Sequence, residues 1–97
     1  MSITRIGEMQ AKPELTEALR NFLLSIFPMI ESAQGFESVQ LLQSHSDPSR
    51  FFIIEIWDSI ESHQSAAKLI PPGKLDEIRP LLASAPSGGY FDVVANQ

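Results

Sequence analysis

The sequence has 97 residues, one domain's worth of chain, with seven Lys and Arg against twelve Asp and Glu for a formal charge of −5. Hydrophobic residues make up 43% and charged residues 20%, a globular balance rather than a disordered one. The lack of Cys excludes disulfides, thiolate metal sites and cysteine nucleophiles, and two His (His45 and His63) are too few for a three-histidine zinc site. The acidic balance argues against a nucleic-acid or anionic-membrane surface. The longest apolar patch, Phe22 to Ile30, is broken by Ser25 and Pro28 and falls far short of the roughly 20 residues that cross a bilayer. Met1 to Arg5 lacks the apolar core and cleavage site of a signal peptide, so the expected location is the cytoplasm.

Residues 3–11 alternate loosely and read as a strand, with Gly7 marking a bulge or a close approach. Lys12-Pro13-Glu14 opens a helix, where a proline in the first turn costs no hydrogen bond and the acidic Glu14 and Glu17 meet the positive end of the dipole. Leu15, Leu19, Phe22, Leu23, Ile26, Phe27 and Ile30 form its apolar stripe. Pro28 predicts a kink near Leu24 or a split in two, and Gly35 reads as the C-terminal cap. Residues 36–43 form a second strand, 44–49 a turn cluster, and 51–58 the strongest strand, so a hairpin joins the last two. Ser59 caps a short helix to about Lys68, and Leu69 to Gly73 breaks it. Residues 74–83 form a third helical piece, 85–89 a loop, and Tyr90 to Ala95 a last strand. The order is β-α-β-β-α-β over a single domain of residues 1–97: an α+β chain whose antiparallel four-stranded sheet carries its helices on one face.

The strand at 51–58 is apolar on both faces. Phe51, Ile53, Glu55 and Trp57 point one way, and Phe52, Ile54 and Ile56 the other. Leaving one of those faces wet forfeits about 1.5–3 kcal/mol per large side chain. A soluble monomer rarely keeps such a patch, so a homodimer packing sheet against sheet is expected.

Ile3 to Pro13, Asp47-Pro48-Ser49-Arg50-Phe51, Ile54 to Ser59 and Pro80-Leu81-Leu82-Ala83 followed by Pro86 resemble the antibiotic biosynthesis monooxygenase domain family. The resemblance covers nearly the whole chain. It implies a ferredoxin-like fold forming a dimeric α/β barrel, and oxidation of phenols or quinols by dioxygen with no flavin or metal cofactor. In such chemistry a base removes a phenolic proton and the electron-rich anion reduces oxygen inside an apolar pocket. The chain departs from the family in one respect. Many members carry a His nine residues after the Trp of the third strand, where this chain has Ala66, and His63 lies one turn earlier. The first strand lacks Asn and no Trp follows Trp57, which argues against the haem-degrading branch.

The expected catalytic residues are His63, which titrates near neutrality, and Glu55, a carboxylate desolvated by its apolar strand and so a possible base. The favoured reading of Glu55 is structural, an ion pair with Arg5 or Arg50 across strands or a hydrogen bond across the dimer, and His63 reads also as a solvated helical side chain beside Glu61 and Gln64. Trp57 reads as pocket wall or as core, and Arg50 as an anion binder or as a surface partner of Asp47. Phe22 and Phe27 are expected to line core and pocket, while His45 beside Asp47 lacks the ligands for a metal. Dinucleotide, P-loop, serine-hydrolase and zincin motifs are absent. Three functions are then in contention: a small oxygenase acting on a small aromatic molecule, a non-catalytic small-molecule-binding or regulatory module, and an RNA-binding domain of the same topology. The last lacks the glycines and charge its third strand would need.

Overall fold

The computed structural model describes residues 1–97. It runs β1 (Ile3–Gln10), a 3-10 turn (Pro13–Leu15), α1 (Thr16–Glu31), β2 (Phe36–Gln43), β3 (Arg50–Trp57), α2 (Ile60–Ala67), α3 (Pro72–Ile78), a second 3-10 turn (Arg79–Leu81) and β4 (Ser87–Phe91). The strands pair antiparallel in the order β2-β3-β1-β4, with the helices on one face: the α+β ferredoxin-like arrangement. The β2–β3 hairpin closes as its turn residues dictate. Asp47 N–H donates to Ser44 Oγ (3.1 Å) and Ser49 N–H to Asp47 Oδ1 (3.2 Å).

The main core sits where α1 crosses the sheet, built from Ala11, Leu19, Leu23, Phe51 and Ile53. A second cluster at the other end joins Ile30, Trp57 and Ala66. Ser59 caps α2 by accepting from Ser62 N–H at 3.1 Å. Gly35 has φ +88°, and a Cβ there would collide with Asp58 and Ser62, so only glycine lets the end of α1 meet the start of α2.

Three expectations change. Gly7 lies in an unbroken ladder opposite Ile53 and Gly88, and the irregularity falls instead between Phe36 and Ser38 of β2. Of the two effects expected of Pro28, a kink or a split, the split is excluded, since α1 runs unbroken from Thr16 to Glu31. The carbonyl Pro28 leaves without a helical donor belongs to Leu24, which is itself 44% exposed, so water can take the place of that bond. The last strand is Ser87–Phe91 rather than 90–95. Its two glycines pair with Gly7 and Ile6, while Val93 and Val94 are left outside the sheet, 65% and 98% exposed.

Candidate functional site

Strand alternation places Arg5, Gly7 and Met9 of β1, Ile53, Glu55 and Trp57 of β3, and Gly88 and Tyr90 of β4 on the helix-bearing face. Between that face and Ile26, Phe27 and Ile30 of α1 and His63 and Ala66 of α2 lies a mainly apolar cavity of about 300 Å³. It stays hollow because Gly7 contributes no side chain from the sheet and Ala66 and Ala67 only methyls from α2. Ile70, Leu75 and Pro86 complete its wall. The volume is at the small end for ligand pockets, a fit for one or two aromatic rings.

Its polar groups converge at one end. Glu55 Oε1 accepts from Trp57 Nε1–H at 2.9 Å, and the carboxylate is only 12% exposed. Burial pushes its pKa above the ordinary carboxylate value, against the opposing pull of the indole hydrogen bond and the Arg5 charge. His63 Nε2 stands 4.0 Å from the same oxygen, too far for a hydrogen bond, and its Nδ1 is 2.7 Å from the Tyr90 hydroxyl. Burial, and secondarily Arg5, lowers the His63 pKa, so the ring is neutral at neutral pH. With a carboxylate facing Nε2, the favoured tautomer carries its proton there and Nδ1 accepts from Tyr90 O–H. Edge-to-face contacts chain Phe36, Trp57, His63 and Tyr90 together at centroid distances of 5.4, 5.7 and 5.4 Å, and Arg5 stacks over the Tyr90 ring at 5.2 Å. The arrangement can accept a proton from an acidic hydroxyl at Glu55 and offer an N–H to a nearby oxygen from His63.

Of the residues singled out in the sequence, Glu55, His63, Trp57 and Phe27 border the cavity. Trp57 is fully buried, so it backs the wall and holds Glu55 rather than presenting a surface of its own. Phe22 packs against the main core and does not line the cavity. Arg50 lies on the opposite face of the sheet, where it pairs with Glu8 at 2.8 Å and stacks on Phe52; its expected partner Asp47 receives only its backbone N–H. The sequence singles out no role for Tyr90 and offers Arg5 only as an ion-pair partner of Glu55. Ala66, where the family pattern has His, is buried and walls the same cavity one turn beyond His63. No three His, Asp or Glu side chains converge in a metal-binding arrangement, and no helix is long and apolar enough to cross a membrane.

Solved structures share this architecture. A protein of Nitrosomonas europaea named as a candidate antibiotic biosynthesis monooxygenase superposes with TM-score 0.84 at 19% identity, over 96% of this chain and 90% of its own. Rv0793 of Mycobacterium tuberculosis gives TM-score 0.84 at 15% identity, over 99% and 98%. A mutant of SnoaB, a cofactor-independent oxygenase of Streptomyces nogalater, gives TM-score 0.81 at 15% identity, over 98% and 95%. No curated protein matches the sequence. These likenesses carry the fold. The family follows from the sequence itself, because the antibiotic biosynthesis monooxygenase model matches residues 2–69, from β1 through the site-bearing β3 and α2. The chain therefore belongs to the antibiotic biosynthesis monooxygenase family.

Proposed function

We propose that this protein is a cofactor-independent monooxygenase that oxidises a small phenolic or quinol-like aromatic with dioxygen. The observation that carries the reading is the meeting of Glu55 and His63, 4.0 Å apart, at the polar end of an otherwise apolar cavity. Glu55 takes the phenolic proton. The phenolate passes one electron to dioxygen, and the radical pair joins as a ring-bound peroxide, protonated from the Glu55 carboxyl. The peroxide O–O bond then breaks as water leaves with the ring hydrogen, so one phenol and one O₂ give one quinone and one H₂O. The Nε2–H of His63 steadies the reduced oxygen. SnoaB, which shares the fold, is named as a cofactor-independent oxygenase and supports the reading.

The test is oxygen uptake with a panel of phenols and hydroquinones. One O₂ consumed per quinone formed is expected, with turnover falling about 100-fold or more in Glu55→Gln and less in His63→Ala. No turnover across the panel, or turnover indifferent to both substitutions, overturns it. A second reading, a non-catalytic small-molecule-binding or regulatory module, draws support from Ala66 in the family's His position. Stabilisation by an aromatic ligand that stays chemically unchanged would favour it.

In either reading the protein works as a homodimer joined through the open face of the sheet. Ile6, Phe52, Ile54 and Ile56 lie on that face, with Leu42 and Phe91 beside them still 43% and 52% exposed. Sedimentation at falling concentration should show a dimer down to the low micromolar range; a stable monomer there overturns this assignment.

A further inference from the structure

Arg5 is set directly opposite Glu55 on β3, yet the two do not pair: no carboxylate oxygen lies within 4.0 Å of the Arg5 guanidinium. Glu55 is drawn to the Trp57 indole N–H. Arg5 leans the other way, across β4, with its guanidinium over the Tyr90 ring and against the backbone of Gly88, where a Cβ would sit 2.5 Å from Nη2. Its side chain makes no hydrogen bond, and none of its nitrogens is sealed off unsatisfied. It is the only cation bordering the cavity, among walls formed chiefly by Ile26, Phe27, Ile30 and Ile53. A guanidinium held by a stacking ring and a glycine seat, with its donors unspent and facing an apolar hollow, is a receptor for an anionic oxygen.

We propose that the cavity takes an aromatic carboxylate of one or two rings, its carboxylate bound by Arg5 and its ring among the α1 side chains. This deepens the oxygenase reading by naming the substrate class, a phenol bearing a carboxylate, and it rests on that reading only for turnover. Glu55, also facing the cavity, sits on the far side of β1 from the Gly88 seat and is occupied at Oε1 by Trp57. It is thus placed for a second, protonated oxygen on the same ring.

The test is calorimetric titration of naphthoate against its neutral isostere naphthamide at near-neutral pH. Naphthoate should bind about tenfold or more tightly than the amide, the advantage of a charge-assisted contact over a neutral one. That ratio should collapse to about twofold or less in Arg5→Gln, survive in part in Arg5→Lys, and stay intact in Arg50→Gln on the other face. Gly88→Ala keeps the charge but displaces the guanidinium, so it too should lower the ratio. Because the readout is a ratio within each protein, partial unfolding of a variant does not imitate the effect. Equal affinity for acid and amide, a ratio that survives Arg5→Gln, or no binding of either compound overturns the assignment. Naphthoate binding without turnover of any hydroxynaphthoate would keep it and remove the oxygenase reading. Turnover of neutral phenols with no preference for acids would do the reverse.

Discussion

The two faces of the sheet carry similar side chains and put them to different ends. On the helix-bearing face, Phe51, Ile53 and Trp57 are sealed by the chain's own helices, while alternate residues Phe52, Ile54 and Ile56 on the other face remain half-buried. Each face also carries an arginine stacked on an aromatic ring. Arg50, outside, is half-exposed and ion-paired with Glu8, a contact of small energetic value because solvent screens it. Arg5, inside, stacks on Tyr90 and stays unpaired. A charge that already has its counter-charge at the surface does little. A guanidinium left without a partner at the edge of an apolar cavity keeps its donors for an anionic oxygen brought by a ligand.

The largest break in this comparison comes from two adjacent phenylalanines. Phe51 is 1% exposed within the main core, and Phe51→Ala should destabilise the protein by about 3–5 kcal/mol in urea unfolding. Phe52→Ala, one residue on but facing outward, should cost the subunit far less and weaken association instead. Similar losses from both, measured below the dissociation range, would mean that the outer face is already as well packed as the core. Next in size is Ile54→Lys, which sets a like charge from each subunit into the proposed interface at the centre of β3. The dimer dissociation constant should rise about 30-fold or more, seen by sedimentation, with the subunit fold intact. An unchanged association constant would place the interface elsewhere.

Much of this contrast was legible in the sequence. The unbroken run Phe51 to Trp57 marks a central strand apolar on both sides, and the alternation that separates Phe51 from Phe52 also assigns Glu55 and Trp57 to one face. The same parity puts Arg50 with Phe52, away from Glu55, so its exclusion from the cavity could have been read from its number alone. Tyr90 could not. Its place beside His63 depends on the register of β4, and the Ser87-Gly88-Gly89 stretch looks like a loop by composition. Those glycines are strand residues because the fold needs open space there, Gly88 for the Arg5 guanidinium, and local preference for turns yields to that packing. Val93 and Val94 show the converse: β-branched residues promising a strand, left exposed because the antiparallel register carries them past Ile3, where β1 begins. The lean of Arg5 away from Glu55 is likewise a tertiary choice between Trp57, Tyr90 and Gly88, three residues far apart in sequence.

The finest prediction separates the two titrating groups inside the cavity. Burial raises the folded pKa of Glu55 above its ordinary 4.5, so the folded state holds that proton longer than the unfolded chain, and its contribution to stability falls as pH climbs from 4.5 to the raised value. Burial lowers the folded pKa of His63 below its ordinary 6.5, so the unfolded chain binds the extra proton, and this contribution rises as pH climbs through the window ending at 6.5. The two slopes oppose each other across weakly acid pH. Relative to the native protein, Glu55→Gln should therefore steepen the gain in stability as pH rises through that range, and His63→Gln should turn it toward a loss, as read from urea midpoints at a series of pH values. Every exposed titrating group is common to all three proteins and cancels in the differences. Two variants running parallel to the native curve would mean that neither group is desolvated in solution, and the cavity would then be open to water at its polar end.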